Sequence, residues 1–185
     1  TLAGKQHVCQ ELSVIGTEKS VPCLSGLLDE PETFNMSLYA LERISGSEAE
    51  QLLLKKLDQT KGLSKIALIN SLGRRKSSLS VPKLEELIYD DDPKVAKAAI
   101  ADLGRIADSD AVGALAKKKE KIKGKLRPAV LHAYLQCADN LRKRDDVSRA
   151  LGIYRELSAE SDDVPPVHEA ASRLADQMTK GNTVE

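Results

Sequence analysis

Leucines recur along the chain at a nearly constant interval. Four of them, spaced 29, 31 and 31 residues apart, are Leu12, Leu41, Leu72 and Leu103. A second leucine follows each of these by 12 residues, and this second series is Leu24, Leu53, Leu84 and Leu115. A period of about 20 to 50 residues is typical of solenoids and other repeat arrays. The chain is therefore predicted to repeat one structural unit.

A break separates the two leucines within a unit, and polar residues follow it. The breaks in the first, second and fourth units are Gly16-Thr17, Ser45-Gly46 and Ala107-Asp108. After the break, apolar residues recur at steps of three and four, as in Val81, Leu84, Leu87 and Ile88. This spacing is typical of one face of an α-helix. Each unit is thus predicted to consist of two helices joined by a tight turn.

Acidic residues and prolines mark several helix starts. The run Asp90–Asp92 precedes Pro93, which predicts an acidic N-cap followed by proline at the first helical position, where its missing N–H is no loss. We expect this helix to end near Ile106. Proline also follows Val21 and Val81, at the predicted start of the second helix in two units.

The last third of the chain keeps the helical spacing in longer elements. Apolar steps from Leu126 to Leu141 predict a long helix, and another is expected after Asp145-Asp146. A final helix over 165–179 has one polar side, as the terminal cap of a repeat array requires. The predicted fold is all-α: a right-handed α-solenoid (α–α superhelix) of about five helical hairpins plus a C-terminal capping helix.

These elements predict a single repeat domain over residues 1–179, followed by a polar tail at 180–185. Its units are expected at about 4–29, 32–58, 61–89, 92–120 and 124–159, with the final helix at 165–179. The first predicted helix has no polar cap comparable to the last one. That asymmetry favours a further repeat upstream, in a chain that forms part of a larger multidomain protein.

Composition narrows the class of protein. The 185 residues are 41% apolar and only 3% aromatic, so the core must be built from Leu, Ile, Val and Ala. No apolar run approaches the roughly 18 residues of a membrane-spanning helix, so membrane insertion is not expected. The 28 basic and 28 acidic residues cancel, which argues against a chain that coats nucleic acid or an anionic membrane as a whole.

Residues suited to catalysis or metal binding are scattered. His7, His132 and His168 lie apart, and neither a nucleophile motif nor a phosphate-binding glycine loop is present. Asp90–Asp92 lacks the spacing of a calcium loop and is better explained as a helix start. We therefore predict no catalytic residue, no metal and no cofactor.

Three cysteines are spaced irregularly along the chain. Cys9, Cys23 and Cys137 include no CxxC pair, so free thiols are expected rather than a disulfide framework or a zinc site. Cys9 and Cys137 fall in apolar stripes. Cys23 lies off its stripe.

A basic run, KKKEKIKGKLR at 117–127, contains seven basic residues and one acid. One interpretation is that the run binds phosphates or an acidic protein surface. The other is that it is the solvent-exposed C-terminus of a helix, whose lysine side chains cover apolar surface with their methylene groups. A second basic neighbourhood contains Arg74 and Arg75. The candidate interaction surface comprises Lys117, Lys118, Lys119, Lys121, Lys123, Arg74 and Arg75.

The segment LGRIADSDAVGAL, preceded by DDDPKVAKAAIAD, resembles the bacterial HEAT-repeat consensus, in particular the phycobilisome-lyase-type HEAT-like repeats. LSVIGTEKSVPCLSGLL and LGRRKSSLSVPKLEELI fit the same pattern, and the resemblance covers about residues 7–120. It implies an α-solenoid that presents an extended, curved surface. Two positions depart from the family pattern: Ala96 stands where arginine is frequent, and Asp102 where a small apolar residue is usual.

The resemblance favours a scaffold that binds an unidentified protein through the second helices of successive units. Because the sequence contains no recognisable set of catalytic residues, this scaffold is predicted to be non-catalytic. Two alternatives stay open: a bilin-lyase-like subunit, implied by the resemblance alone, and nucleic-acid binding through 117–127. The sequence carries no export signal, which favours the cytoplasm. A periplasmic or exported location is expected instead if the chain is processed or excised from a longer one.

Overall fold

The protein is all-helical in a computed structural model that describes residues 1–159 and 164–181. Within these ranges the regular structure comprises eleven α-helices and three short 3₁₀ turns, with no strand, which confirms the all-α prediction. The helices are α1 Leu2–Ile15, α2 Val21–Leu28, α3 Phe34–Arg43, α4 Ser47–Leu57, α5 Gly62–Arg75, α6 Val81–Leu87, α7 Pro93–Ile106, α8 Ser109–Lys121, α9 Arg127–Arg142, α10 Val147–Ala159 and α11 Pro165–Gly181. The 3₁₀ turns are Glu18–Ser20, Ser78–Ser80 and Gly124–Leu126.

The chain divides into two compact units, Thr1–Lys83 and Leu84–Glu185. In the first unit α3 packs against α1, α2 and α5, while α4 packs against α2 and α5. In the second unit α9 packs against α7, α8, α10 and α11, and α10 also contacts α11. Within each unit the helices therefore pack mainly against near neighbours in the chain.

The two leucine series supply much of the core. Seven of the eight predicted leucines are fully buried, and they are Leu24, Leu41, Leu53, Leu72, Leu84, Leu103 and Leu115. Leu12 of α1 is only partly buried. A fully buried leucine contributes about 1.5 to 3 kcal/mol relative to an exposed one. The repeated spacing therefore marks residues that hold the helices together.

Local capping explains where several helices begin. Asp92 is the N-cap of α7, where its carboxylate accepts a 2.8 Å hydrogen bond from the Lys94 N–H, and Pro93 occupies the first turn. Asp108 caps α8 in the same way and accepts a 2.8 Å bond from the Ala111 N–H. Asp90–Asp92 thus forms a helix start, as predicted.

The turn between α7 and α8 is closed by a residue in the left-handed region. Ala107 has a φ of 49°, and its N–H donates to the Leu103 carbonyl at 3.1 Å. This hydrogen bond satisfies one of the carbonyls left open at the end of α7. The chain can then begin α8 at once.

The predicted final helix is present as α11, over Pro165–Gly181. The end of the predicted tail at 180–185, from residue 182 onward, lies outside the described residues. No helix in the described part of the chain combines the length and the apolar character needed to cross a membrane.

Candidate interaction surface

The predicted basic run spans the end of α8, the 3₁₀ turn Gly124–Leu126 and the start of α9. Lysines favour the last turn of a helix because their charge complements the exposed carbonyls there. Ile122 follows α8 and is buried. It therefore holds the segment between α8 and α9 against the rest of the protein. Gly124 then turns the chain with a φ of +68°.

Four lysines of this run face solvent. They have no ion pair or hydrogen bond through their side chains within residues 1–159 and 164–179, and they are Lys117, Lys121, Lys123 and Lys125. We call these four residues the lysine surface. Glu120 is the one acid of the run, and its pKa is lowered chiefly by a hydrogen bond and charge from Lys119, with smaller contributions from Lys123 and Arg127.

Lys118 and Lys119 are engaged by other side chains instead, and only Lys119 is buried. The Lys118 ammonium lies 4.7 Å from the centre of the Tyr89 ring and 3.7 Å from the Glu85 carboxylate. Lys119 is only 3% exposed, and its ammonium contacts Glu120 at 2.7 Å and Glu156 at 2.9 Å. A buried ammonium requires such partners because it has lost its water. Of the predicted lysines, these two are held by the fold.

The Lys119 ion pair joins three helices of the second unit. Glu156 of α10 also accepts a 2.8 Å hydrogen bond from the Tyr134 hydroxyl of α9. Burial, followed by this bond to Glu156, raises the pKa of Tyr134 well above its usual value. The Arg127 guanidinium donates to the Lys119 carbonyl at 2.5 Å. These contacts fix the end of α8, and thereby the backbone that carries the lysine surface.

Arg74 and Arg75 lie at the end of α5 in the first unit, and both are engaged. Arg74 is half exposed and forms a 2.6 Å ion pair with Glu42. The Arg75 side chain is 7% exposed. Its guanidinium donates to four carbonyls at and beyond the end of α3, at 2.5 to 3.2 Å. Arg75 therefore caps the end of α3, the first helix of the preceding pair.

A matching arrangement in the second unit could not be recognised from the sequence. Arg144, which follows α9, donates to the carbonyls of Ile106 and Ala107 at 3.0 and 3.1 Å. Asn140 of α9 donates to the Gly104 carbonyl at 3.0 Å. Both residues satisfy carbonyls at the end of α7. The only sequence signal was their position near a helix end, which many basic and amide residues share.

Asp102 stands where the resemblance calls for a small apolar residue, and it is fully buried. Its carboxylate forms an ion pair with Arg105, one turn further along α7. Because a buried carboxylate needs a counter-charge, the arginine explains how the acid is tolerated. Asp102 is therefore a structural part of α7.

The cysteines predicted to lie on apolar helix faces are the buried ones. All three cysteines are free thiols, with Cys9 and Cys137 buried and Cys23 exposed. Burial raises the pKa of Cys137 to about 12, which keeps the thiol protonated and unreactive at neutral pH. No group of three or more His, Cys, Asp or Glu residues in the described part of the chain is arranged to hold a metal ion.

The lysine surface places exposed positive charge at the end of α8 and in the turn that follows. Ammonium groups donate hydrogen bonds without accepting them, so these four side chains can pair with anionic groups. No model of a known protein family matches the chain, and no curated protein matches it significantly.

Proposed function

We propose that the chain is a non-catalytic protein-binding module, an α-solenoid of HEAT-like helix pairs, whose lysine surface binds an acidic segment of a partner protein. The observation that carries the proposal is the set of four solvent-facing lysines whose side chains have no ion pair or hydrogen bond with the described residues, beside two lysines that the fold does engage. The near-constant spacing of the buried leucines supports the repeat architecture.

An acidic protein segment fits this surface better than nucleic acid does. Single strands are commonly held by aromatic rings on which bases stack. Tyr89 is the aromatic residue that adjoins the run, and the Lys118 ammonium already lies 4.7 Å from the centre of its ring. The zero formal net charge of the chain also supplies no overall attraction for a phosphate backbone.

The proposal is tested with a fluorescein-labelled 12-residue peptide of glutamates and glycines, titrated with the protein and followed by anisotropy. Charge reversal in the triple variant Lys117→Glu, Lys121→Glu and Lys123→Glu is expected to weaken binding at least tenfold. The affinity of the wild type is also expected to fall steeply as salt rises, because exposed charges are screened.

A matched control reverses three exposed lysines elsewhere: Lys55→Glu, Lys94→Glu and Lys97→Glu. It changes the net charge equally and is expected to keep most of the binding. Equal losses in both variants would show non-specific attraction and overturn the proposal. A labelled 12-nucleotide single strand serves as the competing ligand. If it binds more tightly than the acidic peptide, and if the triple reversal of Lys117, Lys121 and Lys123 abolishes this binding while the control variant keeps it, the nucleic-acid alternative is favoured instead.

A further inference from the structure

A groove in the first unit runs between α1 and α3. Its volume is about 570 Å³, within the range of roughly 300 to 1,000 Å³ that is usual for ligand pockets. Its lining includes Gln6, His7 and Gln10 from α1, and Asn35, Met36 and Tyr39 from α3. The groove therefore lies between the first helices of two predicted units, not on the second helices.

The apolar part of the groove is open to solvent. Met36 is 38% exposed and Tyr39 is 50% exposed, one turn apart on α3. Cys9 closes the floor and is 1% exposed. A methionine and an aromatic ring side by side form an adaptable apolar contact surface. Met36 and Tyr39 can therefore pack against a large apolar side chain of a ligand.

Three side-chain amides beside this apolar part have unused hydrogen-bonding groups. Gln6, Gln10 and Asn35 make no hydrogen bond through their side chains to any described residue. Each amide offers a donor and an acceptor, as each peptide group of an extended chain does. A helical ligand would have few such groups to offer, because its backbone bonds are internal.

A positive charge lies beside the groove, next to Tyr39. The Arg43 guanidinium stacks on the Tyr39 ring, 3.7 Å from its centre. No carboxylate among the described residues pairs with it. Tyr39 and Arg43 are one turn apart, about 6 Å along α3, which an extended peptide spans with about two residues. A carboxylate two residues from the apolar side chain would reach Arg43.

We propose that this groove binds an extended acidic peptide segment of another protein. A large apolar side chain lies against Met36 and Tyr39, a carboxylate two positions away pairs with Arg43, and the free amides bond the peptide backbone. The site uses none of the lysines described above, so it stands independently of the lysine surface.

The proposal is tested by selecting phage-displayed random decapeptides on the immobilised wild-type protein and measuring the enriched peptides by anisotropy. We expect a large apolar residue and an acidic residue two positions apart. Tyr39→Ala is expected to weaken these peptides at least tenfold. Arg43→Glu is expected to reverse the preference, so that replacing the acidic residue by lysine restores binding.

Matched variants separate this site from others. Tyr89→Ala removes an exposed tyrosine elsewhere, and the triple reversal of Lys117, Lys121 and Lys123 removes the lysine surface; both are expected to leave binding unchanged. Circular dichroism checks that each variant is folded. Failure to enrich any peptide, binding that survives Tyr39→Ala, or unaltered charge preference in Arg43→Glu would overturn the proposal. Peptides lost only with the lysine reversal would belong to the lysine surface.

Discussion

Neighbouring residues of one type have different roles in this protein, and their surroundings decide which. Lys117 is exposed, whereas Lys119 is buried against Glu156. Arg74 is half exposed in a pair with Glu42, whereas Arg75 is enclosed and bonds to carbonyls of the preceding helix pair. Charge alone therefore does not identify the residues available to a partner.

Arg75 is expected to stabilise the fold. Arg75→Ala leaves several carbonyls near the end of α3 without their donor, and each buried unsatisfied group costs about 1 to 3 kcal/mol. We expect a loss of about 2 to 4 kcal/mol in the free energy of unfolding, measured by urea denaturation. Arg75→Lys is expected to recover only part, because one ammonium does not reproduce the planar guanidinium.

Arg74→Ala is the matched control for this prediction. It removes the adjacent arginine and an exposed ion pair, which is worth less than about 1 kcal/mol. Equal losses in the two alanine variants would show that the carbonyl bonds of Arg75 contribute no special stability.

At the level of helices, a single glycine sets the distance between α7 and α9. A Cβ placed on Gly104 would lie 2.7 Å from the Ala133 carbonyl oxygen and 2.9 Å from the Ala133 Cα. Both contacts are with backbone atoms, which cannot rotate away. Gly104 thus permits the close approach of two helices that form much of the core of the second unit.

Gly104→Ala is therefore expected to destabilise the protein by about 1 to 3 kcal/mol through overpacking. The control is Gly113→Ala in α8, where an added Cβ meets nothing within 4 Å. There the higher helix propensity of alanine is expected to stabilise by about 0.5 to 1 kcal/mol. Thermal unfolding measures both. A midpoint that rises in both variants would contradict the close packing at Gly104.

Features with short-range causes were predictable from the sequence. The Asp92 cap with Pro93, the turn at Ala107 and the buried leucines follow from capping and from apolar steps within one helix. The burial of Lys119 was not predictable, because it depends on Glu156, 37 residues later in the chain. The groove beside Tyr39 was not predictable either, since unused amides can be recognised only once their neighbours are placed.

At the scale of the whole molecule, each compact unit has its own set of buried leucines. Leu53 of α4 and Leu115 of α8 occupy the same place in the repeat, and both are fully buried. One lies in Thr1–Lys83 and the other in Leu84–Glu185. In repeat proteins stability is approximately a sum of local terms, so that one region can open before another.

Leu53→Ala and Leu115→Ala therefore test whether the proposed repeat architecture governs stability. Each is expected to cost about 2 to 5 kcal/mol through the cavity left behind. Amide hydrogen exchange measured by mass spectrometry is expected to rise chiefly within residues 1–83 for the first variant and within 84–159 for the second. Leu63→Ala is the control, because Leu63 is 79% exposed. Equal increases across both ranges would show one cooperative structure and contradict local additivity.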